Sequence, residues 1–244
     1  MTSSGSNVFK LLEWDSNFFG FPIALIQKDV LGENELSMAL SQLKNQGVKC
    51  VYWPASAQHP ELINFACKQN GKLVDTKILY SRSLAGFTFT YAEKLYISPY
   101  TSDEPDVQLK QLALASGIYS RFLKDERFGS KNFEKLYLQW ITDSVKKKIA
   151  LEVFVSRFQN DFTGMITVGG KDGIGKIGLV AISEKYRGVG IGNMLMEYTL
   201  MWFNKKRYNK VEVATQKENQ AACSLYAKFG FSPEKTYNYF HFWL

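Results

Sequence analysis

From Ile23 onward the chain alternates short apolar runs with segments whose apolar residues recur every three or four positions, the pattern of strands interleaved with amphipathic helices. A strand over Ile23 to Ile26 leads into a helix with Leu36, Leu40 and Leu43 on one face, ended by Gly47. Val48 to Trp53 predicts a strand, residues 60–69 a helix closed by Gly71, and Leu73 to Ser81 another strand. A stretch rich in Thr, Ser, Pro and Asp, residues 91–106, reads as a linker. Beyond it the pattern predicts a helix over residues 106–122 and a second from Asn132, with Phe133, Tyr137, Trp140 and Ile141 sharing a face. Strands are expected near 150–157, 162–169 and 175–182, then a helix carrying Ile191, Leu195, Tyr198 and Trp202. A strand from Lys210 to Gln216, a helix after Asn219 and a last strand from Tyr237 to Trp243 complete the order. The prediction is an α/β protein in two parts, a smaller α/β domain over 1–92 and a larger one over 93–244.

The junction from Ile177 to Asn193 carries the most chemistry. An apolar run, readable as a buried strand, is followed within five residues by Gly188, Gly190 and Gly192 on alternate positions, after which helical spacing begins. Residues without a Cβ let the backbone approach an anion, and the first turn of a helix offers unpaired N–H groups at the positive end of its dipole. The expected ligand is a pyrophosphate; the plain alternative is an ordinary tight strand-to-helix connection. The spacing is neither the G-x-G-x-x-G of a dinucleotide fold nor a loop ending in Gly-Lys-Ser/Thr.

Composition narrows the picture further. The 244 residues, 45% hydrophobic and 15% aromatic, suffice for a well-filled core. The net charge of +7 is spread along the chain, and its basic triplets, Lys146-Lys147-Lys148 and Lys205-Lys206-Arg207, fall at the ends of predicted helices, where cations favour the dipole. Small anionic ligands are therefore expected as partners, and nucleic acid is not. Cys50, Cys67 and Cys223 include no close pair, which argues against a disulfide frame or zinc site, and His59 and His241 are too few for a His-rich metal site. No metal is expected. With no apolar run of 18 residues and no leader pattern, the expectation is a cytoplasmic protein without membrane insertion. The oligomeric state, homodimer included, stays open.

Arg187-Gly188-Val189-Gly190-Ile191-Gly192 resembles the R/Q-x-x-G-x-G/A signature of the GNAT acetyltransferase superfamily. Asn219 to Phe231 resembles its N-x-x-A-x-x-L-Y-x-x-x-G-F helix, in the expected order and at the expected distance. The resemblance implies the GNAT acyltransferase fold, with a central, mixed, splayed sheet, and acetyl-CoA as cosubstrate. Shorter stretches resemble one branch, the bacterial TDP-fucosamine acetyltransferases. They are Leu12 to Gly20, Ser120-Arg121-Phe122, Tyr137 to Ile141, and Val213 to Gln216 with Tyr226. This implies acetylation of the amine of a nucleotide-linked amino-deoxy sugar, with TDP as carrier, for surface polysaccharide. Two features depart from the pattern: Glu184 stands where many relatives carry proline, and Lys171 to Gly175 forms a turn of its own.

By the same resemblance, backbone groups of Val180, Ala181 and Ile182 pair with the pantetheine arm and hold the oxyanion, and the amides of Gly188, Val189, Gly190, Ile191, Gly192 and Asn193 hold the pyrophosphate beside Arg187. Tyr226 is expected as the general acid for the departing thiolate, since a phenol is protonated at neutral pH; its alternative is packing with Ala222, Leu225 and Phe229. Asn219 caps its helix and reaches the coenzyme. Asp75 is the candidate base, acting through water. Arg121 and Arg127 are candidates for the sugar nucleotide's diphosphate, whose oxygens match a guanidinium fork. Tyr137 and Trp140 are candidates for the pocket floor, or else members of a core helix face. An acetyltransferase of another amine, such as a protein N-terminus or an antibiotic, and a coenzyme A-binding module without catalysis are the competing readings.

Overall fold

The computed structural model describes residues 8–86 and 96–244. In chain order the first elements are β1 (Phe9–Leu11), α1 (Glu13–Phe19), β2 (Ile23–Ile26), α2 (Glu33–Asn45), β3 (Cys50–Ser56), α3 (Glu61–Lys68), β4 (Lys72–Ser83) and β5 (Tyr96–Pro99). Then follow α4 (Val107–Ser116), α5 (Arg121–Lys124), α6 (Gly129–Val145), β6 (Glu152–Phe158), β7 (Asp161–Lys171) and β8 (Ile174–Ile182). A short 3-10 turn, Glu184–Tyr186, leads to α7 (Ile191–Lys205), β9 (Lys210–Gln216), α8 (Gln220–Lys228) and β10 (Ser232–Trp243).

The chain divides into two compact units, Met1–Ile78 with Lys235–Leu244, and Leu79–Glu234. The boundary expected at 92/93 lies outside the described residues, whereas the observed division falls at 78/79 and returns the last ten residues to the first unit. The reason is the pairing of β10 with β3, antiparallel from Tyr237↔Ser56 to Trp243↔Cys50. That long-range pairing leaves no local trace in the sequence.

In the first unit the strand order is β1-β2-β3-β10-β4. Its core joins Leu36, Leu40 and Leu43 of α2 and Leu62 and Ala66 of α3 to Val51, Trp53, Phe240 and Phe242 of the sheet. Alternation along each strand sends these residues to one face. The Trp53 indole donates to Lys28 O at 2.9 Å, so the buried ring keeps its polar partner.

In the second unit the strand order is β4-β9-β8-β7-β6-β5. β5 to β8 pair antiparallel in succession and β8 pairs parallel with β9, which makes the sheet mixed. On one face Leu109, Leu112 and Ala113 of α4 and Ile141 and Val145 of α6 pack on Val153, Val155, Met165 and Ala181. Elsewhere in the unit Tyr198 and Trp202 of α7 lie edge-on to Phe154, with ring centroids 5.0 and 5.7 Å away.

Three local expectations need revision. β5 occupies part of the stretch read as linker, and β1 and α1 organise an opening segment that the pattern left unassigned. The single helix over 106–122 is two, because α4 stops at Gly117 and the Ser120 hydroxyl accepts the Phe122 N–H, at 3.3 Å, to begin α5. A Cβ on Gly117 would stand 2.5 Å from the Tyr137 ring, so the break is also a close approach.

Candidate active site

β8 and β9 form a parallel ladder only from Ile174↔Lys210 to Ile177↔Val213. Past Ile177 the two strands separate, and the β9-facing edge of Val180 to Ile182 carries no ladder partner among these pairs. A bulge lies at the point of separation. The β7 partners run Ile166↔Val180 and then Val168↔Ile177, so β8 holds one residue more than β7 across this step. Ser183 donates its N–H to Thr163 O on the β7 side at 2.9 Å. Counting back by the two-residue repeat, the N–H groups of Ile182 and Val180 point to the opposite edge. The splayed sheet expected from the resemblance is thus present, with main-chain donors on its open edge.

The path into the glycine turn is anchored. Lys185 Nζ and the Tyr186 hydroxyl both donate to Asp161 Oδ2, at 2.8 and 2.6 Å, and the lysine contact, ahead of the phenol, holds the Asp161 carboxyl below its ordinary range. Gly188 and Gly190 take φ of +79° and +92°, a region that favours glycine. Gly190 is the N-cap of α7 and provides no side chain to cap it, so the first-turn amides of this 15-residue helix face outward with the dipole behind them. Gly192 differs. Its φ is not positive, and a Cβ there would meet only ordinary contacts, Leu225 Cδ2 at 3.6 Å and Ile182 Cγ1 at 3.8 Å. Those contacts also show that the end of β8, the start of α7 and the middle of α8 converge. Arg187 and Val189 are exposed, and Asn193 is partly exposed.

On α8, Asn219 Oδ1 accepts the Ala222 N–H at 3.2 Å, the capping role expected of it. Tyr226 is buried, its ring 5.8 Å from Tyr80 on β4 and 5.9 Å from Phe231. Burial, then the nearby Cys223 and Tyr80, push its phenol well above the usual range, so it holds its proton at any physiological pH. Tyr80 is pushed up to about 12, first by burial and then by its hydrogen bond with Cys223. Tyr80 was not singled out by sequence; a tyrosine in an apolar strand carries no mark of what it will face. Arg82, also buried on β4, donates through Nη1 to Phe229 O at the end of α8, and burial lowers its pKa.

The remaining predicted residues lie on β4, on α5, in the turn after it and on α6. Asp75 belongs to the first unit and is buried on β4, 4% exposed. Arg121, at the start of α5, lies with its guanidinium carbon 4.4 Å from the Phe122 ring centroid, and Arg127 is exposed. Tyr137 is buried between Phe133 and Trp140, with ring centroids at 4.8 and 4.9 Å, while Trp140 is partly exposed. Among the described residues no cluster of three or more His, Cys, Asp and Glu is placed to hold a metal, and no helix is long and apolar enough to cross a membrane.

Residues 117–231 match the model of the acetyltransferase (GNAT) family. The chain is 32% identical over 81 residues to an uncharacterized N-acetyltransferase, YobR, of Bacillus subtilis (strain 168), covering 33% of each chain. It is 23% identical over 133 residues to the spore coat polysaccharide biosynthesis protein SpsD of the same organism, covering 54% of this chain and 46% of that one. The matches therefore span less than half the length of these curated relatives. The crystal structure of a GCN5-related N-acetyltransferase from Sphaerobacter thermophilus superposes with a TM-score of 0.60 at 13% identity, over 96% of this chain and 75% of that one. The splayed sheet, the glycine turn and these likenesses agree: the chain has the GNAT acyltransferase fold, and its segment 117–231 carries the sequence pattern of the acetyltransferase (GNAT) family.

Proposed function

We propose that the protein is an acetyl-CoA-dependent N-acetyltransferase whose acceptor is the amine of a nucleotide-linked amino-deoxy sugar, with TDP as the carrier, and that it works in the cytoplasm. The observation that carries the first half is the uncapped start of α7 behind two left-handed glycines, set beside the open edge of β8. That site fits a diphosphate joined to an extended amide-bearing arm. Amides from Gly188 to Asn193, with Arg187 adding charge, would hold the diphosphate. Val180 to Ile182 would take the arm as an added strand, and a donor on that edge would face the acyl oxygen. Bound acetyl-CoA supplies the thioester that is attacked. Tyr226, kept protonated by its surroundings, would donate to the departing sulfur, and Asn219 would fix the start of the helix that carries it.

The acceptor half rests on the short stretches that resemble the TDP-fucosamine acetyltransferases, and on likeness to a relative named for polysaccharide biosynthesis. Arg121 and Arg127 would meet the sugar nucleotide's diphosphate, and Trp140, held by Tyr137, would face the sugar. The test is thiol release from acetyl-CoA in the presence of TDP- and UDP-linked amino sugars and simple amines. Release with the TDP amino sugars and little with simple amines is expected. Equal rates with amines that carry no nucleotide would overturn the acceptor, and coenzyme binding without release under any condition would overturn catalysis.

A further inference from the structure

We infer that Thr167 is a positioning residue for acyl transfer, its hydroxyl holding open the bulge that aims the Val180–Ile182 edge; the inference rests on the reading that this edge receives the coenzyme. The Leu179 N–H donates to Thr167 Oγ1 at 2.8 Å, a side-chain acceptor standing in for a missing ladder carbonyl. Thr167 is 3% exposed, so a hydroxyl lost there would not be replaced readily by solvent. The adjoining residue fits the same device. A Cβ on Gly178 would lie 2.5 Å from Thr167 Oγ1, so only glycine lets the hydroxyl reach across.

The bulge changes which residues face which layer. Before it, Gly175 points to α7, where a Cβ would meet the Phe203 ring at 2.5 Å, and Ile177 lies on that face by alternation. After it, Leu179 and Ala181 pack with the α4 and α6 core, and Ile182 faces Leu195 of α7 across Gly164. One extra residue has inverted the phase of the strand. The same inversion decides which N–H groups stand on the edge away from β7. If Leu179 lost its acceptor, the hydrogen bond that fixes the bulge's backbone would be gone, and the donors of Val180 and Ile182 would shift relative to an acyl group seated there.

The experiment compares Thr167→Val, which keeps the shape and removes the hydroxyl, with Thr167→Ser, which keeps the hydroxyl. Amide exchange at Leu179 reports the bulge directly, and kcat against acetyl-CoA Kd reports the edge. For Thr167→Val we expect Leu179 to exchange at least about tenfold faster and kcat to fall about 10- to 100-fold, the scale of a misplaced reacting group. Acetyl-CoA Kd should change less than about threefold, because the α7 amides that hold the diphosphate are untouched. Thr167→Ser should restore both Leu179 protection and most of kcat. Faster exchange with an unchanged kcat would overturn the positioning role, and unchanged exchange would overturn the hydrogen bond as the bulge's support. A parent protein with no turnover of acetyl-CoA would overturn the functional reading itself, and the Leu179 exchange would show separately whether the bulge stands. Should Thr167→Val fail to fold, the Thr167→Ser and Gly178→Ala proteins carry the same comparison, with Gly178→Ala expected to resemble the hydroxyl deletion.

Discussion

Substitution of the turn glycines separates the conformational demand of the site from its sequence signature. At Gly190 a Cβ would meet nothing within 4 Å, so Gly190→Ala adds no clash and the whole penalty is backbone, φ +92° being unfavourable for an L-residue. That penalty is about 1–2 kcal/mol. It can be expressed in two ways. If the turn keeps its shape, the folded state loses about 1–2 kcal/mol and acetyl-CoA binds as before. If the turn relaxes to a negative φ, stability recovers, and the coenzyme must restore the shape, which weakens binding up to about tenfold for each 1.4 kcal/mol. Urea denaturation and calorimetric titration of acetyl-CoA on the same protein measure both, and their sum should reach about 1–2 kcal/mol. Gly188→Ala should behave alike, since its φ is +79° and its surroundings are equally open. Gly192→Ala should keep parent stability, because its nearest contact would be an ordinary 3.6 Å to Leu225. A Gly190→Ala protein with parent stability and parent affinity, or a Gly192→Ala protein destabilised as much as Gly190→Ala, would refute the reasoning.

Other perturbations test other parts. Tyr226→Phe should lower kcat roughly 100-fold while leaving acetyl-CoA Kd within about twofold, as expected of a proton donor; steady-state kinetics with calorimetry checks this, and an unchanged kcat would assign the ring to packing. Arg82→Met should destabilise the fold by about 1–3 kcal/mol, measured by urea denaturation, because it removes the donor to Phe229 O at the end of α8. Alkaline stability follows from Tyr80, pushed up to about 12 against about 10 for an ordinary phenol. Between those values the unfolded chain releases a proton that the folded chain keeps, so stability falls as pH rises past about 10. Urea midpoints for Tyr80→Phe should therefore decline less steeply across that interval than those of the parent.

Much of this was legible in the sequence because local patterning decided it. The helices at Leu36–Leu43 and Ile191–Trp202, the strands at Ile23 and Lys210, and the glycine turn all follow from apolar period and from residues that permit unusual φ. The missed features depend on partners distant in the chain. β10 joins the first unit through β3, nearly 190 positions earlier in the chain. Tyr80 matters through Cys223 and Tyr226, and Arg82 through Phe229. The bulge left one readable trace, Gly178 inside the apolar run from Ile177 to Ile182, where glycine marks a bulge or close approach. Its acceptor, Thr167, is 12 positions away across the β7–β8 hairpin and carries no mark of its own. Gly192 is the reverse case, part of the recognised signature yet without conformational need in the folded chain.

The central claim is that main-chain N–H groups at the start of α7 grip the diphosphate of coenzyme A. The direct measurement is calorimetric titration of the protein with acetyl-CoA and, separately, with acetyl-pantetheine, which has the thioester and the arm but no diphosphate. The account predicts that acetyl-CoA binds roughly 100-fold tighter, about 2.7 kcal/mol. Equal affinities, or no binding of acetyl-CoA to folded protein, would contradict it.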